Sequence, residues 1–146
     1  MTKPVVTAIN GAAMGGGAGL AIAGDLAVMA EGATLGYPEV RHGIVAAIVM
    51  ANLVRQVGRK HAFEMVSLGK PLTSREALDK GLVNRVVPDP DLVQVSVGIA
   101  EELSGMKRQA MVETKRLFHE VADLPLEKAL KRGRESNRRM RAFRGQ

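Results

Sequence analysis

The sequence of 146 residues has no cysteine and no tryptophan, and its aromatic residues are one tyrosine and three phenylalanines. The absence of cysteine excludes a disulfide framework, a thiolate nucleophile and a thiolate metal site, and it is typical of a reducing compartment, so we expect a cytoplasmic protein. Few aromatic side chains leave little to stack nucleic acid bases on. Asp25 and Glu31 interrupt the longest apolar stretch of the first half, and the other candidate, from Gly43 to Val54, is too short for a membrane span, which needs about 20 residues. We therefore expect no membrane association.

The positive charge is concentrated in the last third of the chain. The net charge is +6, and residues 104–146 contain 12 Lys or Arg against five Asp or Glu, which leaves the preceding part slightly negative. The basic residues of "KALKRGRESNRRMRAFR" recur at helical spacing. This pattern favours a solvated or partner-facing helix over contact with an anionic ligand or a nucleic acid, and we expect no nucleic acid partner.

The hydrophobic pattern predicts an α/β core followed by a helical region. Pro4 to Asn10 are mostly β-branched or apolar and predict a buried strand, and "GLAIAGD" predicts a helix after the glycines. Gly58 is expected to end one helix before another begins, and "TSRE" has the spacing of a capping box. Further short strands are predicted at "LAVMAE", "ATLGYPE" and "LVNRVVP". We predict a core over residues 1–90 and a helical region over residues 91–146.

The most unusual segment is "NGAAMGGGAGLAIAGD", which contains six glycines, five of them between Gly11 and Gly19 at the start of a helical pattern. It matches neither the P-loop nor the dinucleotide fingerprint, so a phosphate-binding loop is disfavoured. Two interpretations remain. The glycines allow tight packing of a helix on a strand, or they expose backbone N–H groups that stabilise a developing negative charge, as in an oxyanion hole.

Three segments, "KPVVTAINGAAMGGGAGLAIAGD", "ATLGYPEVRHGI" and "LTSREALDKGLVNRVVP", resemble consecutive blocks of the crotonase superfamily, the enoyl-CoA hydratase and isomerase family. The resemblance is close from Lys3 to Pro88 and looser beyond. It implies an α/β crotonase fold of β-β-α units with C-terminal helices that form trimers. Because the first block is one that normally lies in the middle of the family's fold, the chain is expected to be truncated at its N-terminus and to correspond to the second half of a member.

The resemblance also implies a site for an acyl-coenzyme A thioester. It assigns one oxyanion N–H to Gly16 and the acid/base role to Glu39, whereas the family's other N–H donor comes from the half that this chain lacks. Hydratases of the family have a second glutamate at the position of Gly19. The predicted substrate-binding residues are Ala13, Met14, Gly15, Pro38, His42 and Gly43. No cofactor is expected beyond the coenzyme A of the substrate, and no metal, because His61 and His119 lack partners at ligand spacing.

Two functions follow from the resemblance. A single carboxylate can remove a proton from one carbon and return it two carbons away, so isomerisation of a 3-enoyl-CoA to a 2-enoyl-CoA is favoured over hydration. The alternative is a catalytically inactive protein that serves as a structural or interaction half-fold. We expect a homotrimer or a dimer of trimers. A partner chain that supplies the missing N-terminal half is a further expected partner. The apolar segment from Ile44 to Asn52 predicts either a hydrophobic acyl pocket or a well-packed core helix.

Overall fold

The computed structural model describes residues 1–143, and the last part of the predicted helical region, residues 144–146, lies outside them. Within this range the chain forms two compact units, Val5–Ala100, and Met1–Pro4 with the residues from Glu101 onward. The division predicted between residues 90 and 91 remains a prediction. The strands are β1 (Val6–Ile9), β2 (Ala12–Met14), β3 (Leu26–Ala30), β4 (Thr34–Gly36), β5 (Leu72–Thr73) and β6 (Arg85–Val87). The helices are α1 (Gly16–Ala21), α2 (Ala47–Leu68), α3 (Ser74–Asp79), α4 (Leu92–Ser104), α5 (Arg108–Val121) and α6 (Leu126–Phe143), with 3-10 helices at Pro38–His42 and Asp89–Asp91.

The first unit contains two three-stranded sheets. One has the order β1-β3-β6 and is parallel, with Val6 opposite Leu26. The other has the order β2-β4-β5, in which β2 and β4 are parallel and β5 is antiparallel to β4. The strand β3 is the most buried, because it lies between two neighbours and carries the apolar run Ala27–Ala30. Parallel pairing brings the C-terminal ends of β2 and β4 side by side, and this places the site.

Two predicted helix boundaries are confirmed. The α2 segment is interrupted at Gly58, whose φ of 73° and ψ of 170° are not helical. Thr73 and Glu76 form the predicted capping box: the Thr73 side chain accepts from the Glu76 N–H, and the Glu76 carboxylate accepts from the Thr73 N–H at 2.8 Å. The helix that follows ends before Gly81, which has a φ of 75°.

The helix predicted over "GLAIAGD" has wrong bounds. It begins at Gly16, three residues earlier, and ends at Ala21, and the strand β2 before it was not predicted. The end of the predicted segment is held in a loop instead: the Val5 N–H donates to Asp25 Oδ2 at 2.6 Å, and the Asp25 N–H donates to the Val5 carbonyl at 2.9 Å. These two bonds pair the N–H groups of Val5 and Asp25 without helical hydrogen bonds. The chain can therefore turn into β3 in an irregular conformation that leaves neither group unpaired.

The second unit is built around the hairpin of α5 and α6, and Pro125 precedes the last helix as predicted. Glu113 of α5 accepts hydrogen bonds from Arg116 at 2.7 Å, from Arg139 of α6 at 3.1 Å, and from Ser136 of α6. Arg116 and Arg139, two arginines of the basic last third of the chain, are therefore paired within the hairpin. None of the helices in residues 1–143 has both the length and the apolar character that a membrane span requires.

Candidate active site

The glycine cluster forms a sharp turn between β2 and α1. Gly15 has a φ of 56° and a ψ of −121°, which only glycine adopts without strain, and its N–H donates to the Gly36 carbonyl at 2.8 Å. Gly16 is the first residue of α1 and is exposed. Among residues 1–143 no acceptor is found for the Gly16 N–H, and a Cβ on Gly16 would meet nothing within 4 Å. The Gly16 N–H is thus a donor on an exposed residue at the start of α1, with no acceptor among the described residues.

The carboxylate of Glu39 lies against this turn. The chain leaves β4 and enters the 3-10 helix Pro38–His42, in which Pro38 occupies the first turn and Gly43, with a φ of 71°, ends it. The Glu39 carbonyl accepts from the Ile44 N–H at 3.1 Å, which holds the backbone of this segment. The Glu39 Oε1 lies 3.0 Å from the point where a Cβ on Gly15 would stand. Glycine at position 15 therefore makes room for the carboxylate beside the Gly16 N–H.

The position of the second family glutamate is closed by packing. A Cβ on Gly19 would lie 2.3 Å from Cγ1 and 3.2 Å from Cβ of Val49, which belongs to α2. Real Cβ atoms essentially never approach another heavy atom so closely. Since α1 and α2 meet at this contact, a longer side chain at position 19 requires Val49 or one of the helices to move. As folded, position 19 supplies no carboxylate to the site, whereas Glu39 does.

Part of the Glu39 carboxylate, its Oε2 atom, is buried. Tyr37, directly before the 3-10 helix, is 0% exposed and is among the largest fully buried side chains. Neither the Tyr37 hydroxyl nor the Glu39 Oε2, both buried, has a hydrogen-bond partner among the residues that the structure describes. Burial, followed by the negative charge of Glu39, raises the pKa of Tyr37 from 10.0 to about 12, so its hydroxyl stays protonated at neutral pH.

The structure brings some of the predicted site residues together. Gly15, Gly16 and Glu39 are adjacent, and Pro38 starts the helix that carries Glu39. Ala13 and Met14 lie in β2, where they pair with Leu35 and Gly36 of β4.

Two predicted residues lie at the rim. His42 and Gly43 are exposed at the end of the 3-10 helix. The substrate-binding roles predicted for the whole set remain predictions, because no substrate is bound.

The apolar segment Ile44–Asn52, predicted to line an acyl pocket or to form a core helix, is largely exposed. Ile48 is 91% exposed, and Ile44 and Val45 are exposed as well, whereas Ala46 is buried. The choice between the two roles remains a prediction. Val49 makes the contact with Gly19 described above. Two residues at the site were therefore missed by sequence reasoning, Val49 and Tyr37. For Tyr37 a signal existed, since it is the one tyrosine of the chain and stands two residues before Glu39.

No grouping of three or more His, Asp or Glu side chains suited to a metal ion occurs among residues 1–143. The chemistry available at the turn is instead a backbone N–H donor with a carboxylate next to it. Such a pair can stabilise negative charge on a carbonyl oxygen while a proton moves at a neighbouring carbon. With the parallel β-β-α arrangement, these features define a protein of the crotonase fold.

Comparison with known proteins agrees with that class. The family model of enoyl-CoA hydratase/isomerase matches residues 1–142, and the chain belongs to this family. A Thermus thermophilus protein provisionally named an enoyl-CoA hydratase is 44% identical over 125 residues, which are 86% of this chain and 49% of that protein. The carnitinyl-CoA dehydratase of Salmonella typhi is 34% identical over 87% of this chain and 49% of its own length.

Solved structures give the same result. A crystal structure of an enoyl-CoA hydratase subunit I from Geobacillus kaustophilus superposes with a TM-score of 0.92 at 30% identity, over 97% of this chain and 55% of that one. The chain thus spans about half the length of the relatives it matches. The crotonase fold expected from the resemblance is confirmed.

Proposed function

We propose that this chain carries the proton-transfer part of an acyl-CoA isomerase, which converts a 3-enoyl-CoA into a 2-enoyl-CoA. The observation that most supports this proposal is that the Glu39 carboxylate lies against Gly15, the residue before the Gly16 N–H. The family's relatives are named for reactions of enoyl-CoA and carnitinyl-CoA, so an acyl-CoA thioester is the substrate class that we propose here.

In the proposed reaction Glu39, as carboxylate, takes a proton from the carbon next to the thioester carbonyl. The electron pair of that C–H bond forms a double bond to the carbonyl carbon, and the negative charge moves to the thioester oxygen, which accepts from the Gly16 N–H. The protonated Glu39 then returns the proton to the carbon two positions further along the acyl chain. The electron pair on the thioester oxygen re-forms the carbonyl, and the carbon–carbon double bond now lies next to it, as in a 2-enoyl-CoA. The Glu39 carboxylate is regenerated without a cofactor.

Hydration of a 2-enoyl-CoA needs more than one carboxylate and one N–H donor. It requires a water molecule to be oriented for attack while a proton is delivered to the adjacent carbon, a task suited to two carboxylates. Gly19 has no side chain for the first of these functions, and Val49 occupies the adjoining space. Glu39 alone, beside one N–H donor, favours proton transfer over hydration.

A structural or interaction role is the second candidate, and the sheet edges favour it. Within the described residues β1 and β2 each pair on one side only, so each leaves a row of backbone groups open to another strand. Strand addition by another polypeptide is the binding mode that suits such edges. The homotrimer or dimer of trimers, a partner chain carrying a first half, and a cytoplasmic location all remain predictions.

The experiment that tests the proposal follows exchange of a solvent deuteron into a 3-enoyl-CoA by NMR. The wild-type chain is expected to exchange the proton next to the carbonyl, and Glu39→Gln is expected to abolish the exchange. The exposed Glu31→Gln is the matched control and should exchange at the wild-type rate. Equal exchange in Glu39→Gln and wild type would refute the assignment of Glu39.

A difference-absorbance titration with acetoacetyl-CoA separates the two candidate functions. A saturable enolate band would support a working thioester site in this chain. A folded chain without the band and without exchange would favour the interaction role.

A further inference from the structure

The region around Glu39 contains two polar atoms that the proton-transfer mechanism does not use. They are the Tyr37 hydroxyl and the Glu39 Oε2, both buried and without a protein partner among residues 1–143. Buried polar atoms are nearly always hydrogen-bonded, and one left unsatisfied costs about 1–3 kcal/mol. Tyr37 and Glu39 are two residues apart in sequence, so one hydrogen-bonding partner shared by both atoms is the simplest explanation.

The two atoms have complementary chemistry. A carboxylate oxygen only accepts hydrogen bonds, whereas a phenol hydroxyl donates one and also accepts. The raised pKa of Tyr37 keeps its proton in place at neutral pH, and the contribution of the Glu39 charge to this shift means that the two groups interact electrostatically. Because neither atom has a hydrogen-bond partner among residues 1–143, a small molecule with both a donor and an acceptor can satisfy the two of them together. A water molecule is the simplest such bridge.

We propose that Tyr37 is a positioning residue for Glu39: its hydroxyl donates to one buried water, and that water donates to Glu39 Oε2. The bridge keeps Oε1 at Gly15, as the oxygen that exchanges the proton with the substrate. This inference rests on the proposed function, because it assigns the two carboxylate oxygens different tasks. Without the bridge the carboxylate rotates about its last bond, and fewer conformers present Oε1 beside the Gly16 N–H.

The kinetic test compares Tyr37→Phe, which removes the hydroxyl and keeps the ring, with the wild-type chain. We expect kcat for deuteron exchange to fall about tenfold, the equivalent of one hydrogen bond, while KM changes less than twofold. Ser96→Ala is the matched control, because it removes another buried hydroxyl without a partner and should leave both constants unchanged. An unchanged kcat in Tyr37→Phe, or a rise in KM alone, would overturn the inference.

A spectroscopic test does not depend on turnover. Because the chain has one tyrosine and no tryptophan, its near-ultraviolet absorption is dominated by Tyr37. Glu39→Gln replaces the charged acceptor of the bridge with a neutral one, so we expect the Tyr37 band to move, whereas the exposed Glu102→Gln should leave it in place. An identical band in Glu39→Gln and wild type would contradict the bridge, whatever the activity.

A crystal structure of the wild-type chain tests the water directly. One ordered water should lie within about 3.2 Å of both oxygens, and density that shows no such water would refute the proposal. The failure of the proposed function looks different: the wild-type chain would exchange no deuteron, although the band shift and the water were present. Exchange that depends on Glu39 and not on Tyr37 would leave the function standing and remove this inference.

Discussion

The contact between Gly19 and Val49 gives the sharpest prediction. Replacing Gly19 with alanine adds one methyl group at a point 2.3 Å from Val49 Cγ1 and 3.2 Å from Val49 Cβ. A valine in a helix has one strongly preferred rotamer, so its side chain cannot turn away at no cost. Either Val49 leaves that rotamer or the helices α1 and α2 separate.

Two opposing terms set the size of the effect. Overpacking of this kind typically costs about 1–3 kcal/mol. Alanine in place of glycine within a helix returns about 1 kcal/mol of helix propensity. We therefore expect Gly19→Ala to lower the free energy of unfolding by roughly 1 kcal/mol, the difference between those two estimates. Gly17→Ala in the same helix lacks the clash, because a Cβ there meets nothing within 4 Å, and it should be neutral or stabilising.

Urea unfolding followed by circular dichroism measures both variants, and then measures them again in a Val49→Ala background. Removal of the Val49 methyl groups should make Gly19→Ala better tolerated, with a coupling of about 2 kcal/mol between positions 19 and 49. If Gly19→Ala and Gly17→Ala have equal effects, or if Val49→Ala changes nothing, Val49 does not fill the space beside Gly19. A longer side chain at position 19 would then fit the fold.

Three further predictions concern the turn, the buried tyrosine and the helical hairpin. Gly15→Ala should destabilise the fold by about 1–2 kcal/mol, through the positive φ and the 3.0 Å approach to Glu39, and should reduce deuteron exchange. Because the pKa of Tyr37 is raised from 10.0 to about 12, the folded state holds this proton more tightly; roughly 2–3 kcal/mol of stability is present below pH 10 and is lost between about pH 10 and 12. The hydrogen bond from Arg116, followed by those from Ser136 and Arg139, holds the pKa of Glu113 well below its usual value, so its stabilisation is present above about pH 4.5 and declines as the pH falls further.

Each of these predictions has a matched comparison. Gly81→Ala shares the positive φ without any contact within 4 Å, so equal losses in Gly81→Ala and Gly15→Ala would remove the Glu39 contribution. Urea unfolding at several alkaline pH values should show a smaller loss for Tyr37→Phe than for wild type, and parallel curves would contradict the shift. Acid unfolding should be less steep in Glu113→Gln, whereas the exposed Glu127→Gln should follow the wild type.

Local patterns in the sequence were sufficient for much of the fold. The capping box of Thr73 and Glu76 depends on residues three positions apart, and the helix break at Gly58 depends on one residue, so both were predictable. The candidate site was likewise indicated by the family resemblance at Gly16 and Glu39. The start of α1 was misplaced, because the turn at Gly15 depends on a hydrogen bond to Gly36 across the sheet.

The sequence by itself determined which functional groups are available: a glycine cluster around Gly16, a carboxylate at Glu39 and no side chain at Gly19. Only the tertiary structure decided how they are arranged. Val49 closes the space beside Gly19, thirty residues earlier, because two helices pack there. Tyr37 is buried, with no partner for its hydroxyl in the described part of the chain, because of the packing around β4. Contacts of this kind join residues distant in sequence, and hydrophobic periodicity carries no information on which distant side chains will meet.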